Sequence, residues 1–188
     1  MCGIAGIMLK SHTSHLRIGE ALVQMLDGCQ HRGPDSTGFA LYAPADEGNL
    51  RLRFFVGEQD VAAEATQRIR TVLETEGARV IDDETVGNNY RATVFYEGDV
   101  RRFAYTVELA AKVLSIGSSL EIVKDVGSAH EVDARYGVAA FEGSHGLGHV
   151  RLATESDVKP EASHPFWATG FADVAIVHNG QITNYWKM

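Results

Sequence analysis

The sequence predicts an α+β fold in which an α/β insertion interrupts a series of short strands and helices. Three observations carry this. Cys2–Leu9 is an almost wholly apolar run too short for a buried helix, the pattern of a strand covered on both faces. Leu16–Gln30 repeats apolar residues at Leu16, Ile18, Ala21, Leu22, Met25, Leu26 and Cys29, a helical stripe. Later runs rich in β-branched and aromatic residues are bounded by turn formers, as strands are.

After the first strand and helix, with Cys29 on the inner stripe, His31-Arg32-Gly33-Pro34-Asp35-Ser36-Thr37-Gly38 reads as a turn cluster. Phe39–Tyr42 is the next strand, and Pro44–Asn49 a hairpin loop into the strand Leu50–Val56. Val61–Leu73 predicts an amphipathic helix, Arg91–Tyr96 a strand, Val100–Leu114 a helix and Leu120–Val126 a strand. The segment from about 58 to 140 is neither Pro/Ser-rich nor poor in apolar residues, so it reads as a compact insertion rather than a linker. Gly143, Gly146 and Gly148 precede a strand, His149–Thr154. A last strand, Val174–Val177, runs into His178-Asn179-Gly180.

The chain has 188 residues, enough for one domain with an insertion. With 45% apolar and 22% charged residues it has the composition of a soluble globular protein. A net charge of −8 without a basic run argues against a nucleic-acid surface. No stretch approaches the roughly 18 apolar residues of a membrane span, and the apolar start lacks the basic flank of a signal peptide. The two cysteines form neither a Cys-x-x-Cys pair nor a disulfide framework, which fits a reducing cytoplasm.

Cys2 is the first candidate for chemistry. A methionine followed by so small a side chain is normally trimmed, which puts thiol and free α-amine on one residue. Such an amine titrates near pH 7.7 and a thiol near pH 8.5, so they can serve as base and nucleophile without a histidine. Three polar clusters, Arg32–Ser36, Arg151–Thr154 and His178–Gly180, sit at the ends of predicted strands. Asn179 with the free N–H of Gly180 offers two donors for an oxyanion, although Asn-Gly is also a favoured hairpin turn. Arg151 suits a substrate carboxylate through a bidentate pair, or a structural ion pair, and Thr154 can add a hydroxyl. His145 and His149 are separated by Gly-Leu-Gly, which argues against a zinc pair, and the glycines match neither a dinucleotide nor a phosphate loop. No metal or organic cofactor is expected.

Met-Cys-Gly-Ile-Ala-Gly at the start, Arg32-Gly33-Pro34-Asp35-Ser36-Thr37-Gly38, Gly148-His149-Val150-Arg151-Leu152-Ala153-Thr154 and Val177-His178-Asn179-Gly180 occur in that order. In this the sequence resembles the class II glutamine amidotransferases, whose glutaminase domains use an N-terminal nucleophile. The resemblance covers roughly the first 45 and last 45 residues and leaves the insertion unexplained. It implies a four-layer αββα sandwich of the N-terminal nucleophile hydrolase type. It implies that Cys2 attacks the glutamine side-chain amide, that Asn179 and Gly180 form the oxyanion hole, and that Arg151 and Thr154 bind the α-carboxylate. It further implies that His164, in Ser163-His164-Pro165-Phe166, lines the glutamine site, and that Arg32 and Asp35 support the nucleophile strand. Glutamine is the implied substrate, and a synthase domain or subunit receives the ammonia.

Two features depart from the family. Nothing after Asn179-Gly180 matches the acidic residue that holds the substrate's α-amino group, and about the last third of the sandwich has no counterpart. The chain is therefore expected to be part of a longer protein. The long stretch between the Arg32 and Arg151 motifs is similar in layout to stand-alone glutaminase subunits of glutamate-synthase-like systems. An amidophosphoribosyltransferase-type enzyme is an alternative, but it needs a phosphate-binding loop that this sequence lacks. A non-catalytic regulatory or assembly module is another.

Overall fold

A computed structural model describes residues 2–10, 16–153 and 158–180. Among the described residues the fold is α+β, with four helices and antiparallel sheets. The first sheet contains β1 (Gly3–Met8), β2 (Ser36–Tyr42), β7 (Leu120–Val126) and β8 (His145–Arg151), in the order β1-β8-β2-β7. One face carries α1 (Ile18–Gly28) and α4 (Ala129–Tyr136). Helix α1 buries Ile18, Leu22, Val23 and Leu26 against Ala5, Phe39, Leu41, Val123 and Val150. Each such side chain contributes about 1.5–3 kcal/mol when fully buried. Helix α4 is delimited by local chemistry. Ser128 and Glu131 form a capping box, and Gly137 ends the helix at φ +68°.

The second sheet belongs to β3 (Asn49–Phe55), α2 (Gln59–Thr75), β4 (Arg79–Val86), β5 (Asn89–Phe95), α3 (Val100–Glu108) and β6 (Lys112–Gly117). The β-α-β-β-α-β sequence and the strand order β4-β5-β3-β6 are those of a ferredoxin-like split βαβ unit. Leu50, Leu52, Phe54, Tyr90, Ala92 and Val94 share a core with Ile69 and Leu73 of α2 and Phe103 and Val107 of α3. That core continues to Ala40, Tyr42, Leu120 and Ile122 of the first sheet and to Trp167. A third, two-stranded sheet pairs β9 (Phe166–Trp167) with β10 (Ala175–Ile176). Among the described residues, no helix is long and apolar enough to cross a membrane.

Several elements differ from the sequence expectation. The helix expected over Val100–Leu114 stops at Glu108, and Val113, Leu114 and Ile116 lie in β6, where a β-branched apolar run favours a buried strand. Strand β4 and helix α4 were not expected. β4 is a sheet edge of sequence RVIDDETV, too charged to read as a strand, with Arg70 paired to Asp83 and Arg91 to Asp82 and Glu84. The split βαβ unit starts with β3, before residue 58, and ends with β6. β7 and α4, which fall within the 58–140 span, join the first sheet.

The strand expected from His149 begins at His145, so Gly146 and Gly148 lie inside it. A Cβ at Gly146 would come within 2.7 Å of Leu22, and one at Gly148 within 2.7 Å of Leu26. These glycines are therefore where α1 rests directly on the sheet, rather than a loop before it.

Candidate active site

The register of β1 on β8 pairs Gly3 with Val150, so Cys2 follows on beside Arg151. β2 continues the row, with Ser36 opposite Arg151. Adjacent antiparallel strands thus gather the first and third motifs at one end of the first sheet. Cys2 is half-buried, and its Sγ accepts the Leu152 N–H at 3.5 Å. Arg151 is 7% exposed, a depth that demands polar partners or a ligand.

The second motif braces that end. The Asp35 N–H donates to Arg151 O at 3.1 Å, and its Oδ2 accepts the Ala153 N–H at 2.6 Å. Asp35 therefore fixes the backbone at Arg151 and Ala153; Thr154 lies outside the described residues. Arg32 ends a short 3-10 turn, Gln30–Arg32, and its side chain is exposed. Gly33 does closer work. A Cβ there would stand 2.4 Å from Val150 C and 2.6 Å from Arg151 N, so only glycine lets this loop lie on β8.

The last motif reaches the same place. Asn179 Nδ2 donates to Cys2 O at 3.0 Å, and a carboxamide nitrogen carries a second N–H besides. A Cβ on Gly180 would come within 2.7 Å of the His178 ring. His178 O accepts from His149 Nε2 at 3.1 Å, which puts the His149 proton on Nε2.

His149 and His164 face each other with ring centroids 4.6 Å apart, and the Nδ1 of each is buried without a hydrogen-bond partner among the described residues. Burial lowers the His149 pKa to about 4, with help from the charges of Arg151 and His178. Burial likewise lowers His164 to about 4, and His149, Lys124 and His178 add to it. Both imidazoles are neutral at pH 7. The pair is thus uncharged, and the charges of Arg151, Lys124 and His178 reach it.

Sequence reasoning passed over Lys124 and Asp173. Lys124 is 2% exposed on β7, and its Nζ donates to Ser163 O at 2.7 Å and Pro165 O at 3.1 Å, with Glu161 O at 3.4 Å. Burial lowers its pKa to about 7. These bonds hold the His164 loop against the sheet, and Gly38 makes room: a Cβ there would lie 2.1 Å from His164 O. Locally no signal in the sequence marks Lys124, because Glu121 and Asp125 share its strand. Among the described residues, no three His, Cys, Asp or Glu side chains are grouped to hold a metal.

The chain is 34% identical over 198 aligned positions to a putative glutamine amidotransferase of Methanothermobacter thermautotrophicus, covering all of this chain and 64% of that protein. It is 34% identical over 193 positions to the glutamine amidotransferase-like protein GlxB of Rhizobium meliloti, covering 98% and 60%. A glutamine–fructose-6-phosphate aminotransferase of M. thermautotrophicus is 36% identical over 86 positions, covering 46% of this chain and 14% of that enzyme. No family model matches the chain. These similarities support a class II glutamine amidotransferase domain. It spans about three fifths of the length of the first two.

Proposed function

We propose that this chain is the glutaminase part of a glutamine amidotransferase, which frees ammonia from the glutamine side chain through a Cys2 thioester. The observation that carries the reading is the meeting of Cys2, Arg151 and Asn179 at one sheet end, from motifs far apart in sequence. With Met1 removed, the Cys2 α-amine takes the thiol proton as Sγ attacks the amide carbon. The oxyanion then accepts from Asn179 Nδ2 and the Gly180 N–H. The amine returns the proton to the departing nitrogen, ammonia leaves, and water hydrolyses the thioester to glutamate.

Arg151 binds the α-carboxylate of glutamine, with Thr154 beside it, and the neutral His164 lines the side-chain channel. Asp35 braces the Arg151 turn, and Arg32 flanks it. The reading implies an αββα sandwich of the N-terminal nucleophile hydrolase type, and an antiparallel sheet with α1 and α4 on one face is compatible with such a sandwich. Ammonia passes to a partner synthase of the glutamate-synthase-like kind. Similarity along the whole chain to relatives named as amidotransferases, insertion included, supports a shared layout.

Steady-state glutamine hydrolysis by the purified chain tests this. Asn179→Ala is expected to lower kcat by about 10²–10³-fold with little change in KM, as loss of one oxyanion donor does. Arg151→Lys should chiefly raise KM. Unchanged hydrolysis in Cys2→Ala would end the proposal.

A further inference from the structure

We propose that Asp173 is a positioning residue for the oxyanion segment: clasped by the β6–β7 turn, its carboxylate holds the strand that presents Asn179 and Gly180 to Cys2. The inference rests on the glutaminase reading, in which Asn179 and Gly180 are the working groups.

Only Ser118 and Ser119 separate β6 from β7, and the turn is built to hold an anion. Asp173 Oδ1 accepts the Ser119 N–H at 2.7 Å, Ser119 Oγ at 2.8 Å and the Leu120 N–H at 2.8 Å. Oδ2 accepts the Ser118 N–H at 3.1 Å and Ser118 Oγ at 2.9 Å. Three successive backbone N–H groups aimed at one carboxylate form a nest, here reinforced by two hydroxyls. Gly117 is part of it, since a Cβ there would stand 2.3 Å from Asp173 Oδ1. Burial pushes the Asp173 pKa up, but the bonds from Ser119, Leu120 and Ser118 outweigh it and hold the carboxyl below its ordinary range.

The backbone at Asp173 supports the same view. Its φ of +60° is left-handed, which a side chain rarely adopts unless its surroundings impose it. The Asp173 N–H also donates to Ile116 O at 3.3 Å, a second tie to β6.

From there the chain runs directly to the candidate site. Val174 O accepts the Ala168 N–H, Ala175 and Ile176 pair with Trp167 and Phe166, and His178 O meets His149. β10 has two residues, and Phe171, Val174 and Ile176 are exposed, so this strap buries little apolar surface of its own. The Asp173 clasp supplies the missing hold. Because the β6–β7 turn is also where the split βαβ unit rejoins the first sheet, the same clasp joins that unit to the oxyanion segment.

The experiment compares the chain with Asp173→Ala and Asp173→Asn, by amide hydrogen exchange over residues 166–180 and by the rate at which a diazo-ketone glutamine analogue alkylates Cys2. Formate is the probe for the emptied nest, being a carboxylate small enough to enter it. In Asp173→Ala, exchange protection of the strap is expected to fall and alkylation to slow at least tenfold, while protection of β2, β7 and β8 is retained. Formate should restore both readouts saturably in Asp173→Ala and leave the unmodified chain unchanged. Asp173→Asn, which keeps one acceptor and loses the charge, should fall between. Wild-type protection and alkylation in Asp173→Ala would overturn the inference. So would losses that spread across both sheets without any response to formate. If Cys2 of the unmodified chain is not alkylated, the glutaminase reading fails, and strap protection alone decides whether Asp173 is a clasp.

Discussion

Cys2 and Arg151 are neighbours because β1 and β8 run antiparallel in a register that pairs Gly3 with Val150. Around them the chain buries groups that titrate, and the direction of their shifts gives a test. Unfolded, His149 and His164 protonate near pH 6.5; folded, each does so at about 4. Between those values the unfolded chain binds protons that the folded chain refuses, so acidification destabilises the fold. The urea midpoint is expected to drop from pH 7 to pH 5, and His149→Gln with His164→Gln should flatten the slope. A midpoint that holds steady across this range in the unmodified chain would contradict the burial of the pair. Cys2, Arg151 and Asn179 stand out in the sequence as candidates because their residue types suit the proposed reaction. Lys124 and Asp173 could not, since their partners are backbone carbonyls and N–H groups some forty to fifty residues away along the chain.

At the scale of elements, glycines decide which surfaces touch. Gly33 lies on Val150 and Arg151, Gly38 under His164, and Gly146 and Gly148 under Leu22 and Leu26. The Gly33 and Gly38 contacts are with backbone that has nowhere to retreat. Gly33→Ala is therefore expected to cost about 1–3 kcal/mol of stability, the usual range for overpacking, read from denaturant unfolding. It should also shift Arg151 and slow Cys2 alkylation. A neutral effect would show that the loop does not rest on β8. Strand and helix character was legible wherever the apolar period was strong, as in α1 and β3. It was lost where β8 replaced side chains with glycine, and where the helical pattern of α3 merged with the apolar run of β6.

At the scale of the molecule, the split βαβ unit meets the first sheet through a polar network as well as through the shared core. Arg135 pairs with the buried Asp125, whose Oδ2 lies 2.8 Å from Tyr136 Oη. Tyr136 Oη is also 2.7 Å from Asn88 Oδ1, and Asn88 Nδ2 donates to Asp125 Oδ1 at 3.2 Å. Asn88 sits at the β4–β5 turn and Asp125 on β7, so the network links the tip of one sheet to the end of the other. Tyr136→Phe should cost about 1–3 kcal/mol by leaving buried acceptors short of a donor. If the link is real, the loss will appear in exchange protection on both sides, in β5 and in β7; a loss confined to α4 would contradict it. The sequence shows alternating helical and strand patterns across this region, but which sheet each strand joins leaves no mark in local composition.

The most direct measurement is peptide mass spectrometry of the chain after exposure to a diazo-ketone glutamine analogue. The expected result is an N-terminal peptide beginning at Cys2, without Met1, carrying one adduct on that cysteine while Cys29 stays free, and protection from labelling by glutamine. A retained Met1, or an adduct on Cys29 that persists in Cys2→Ala, would contradict the account.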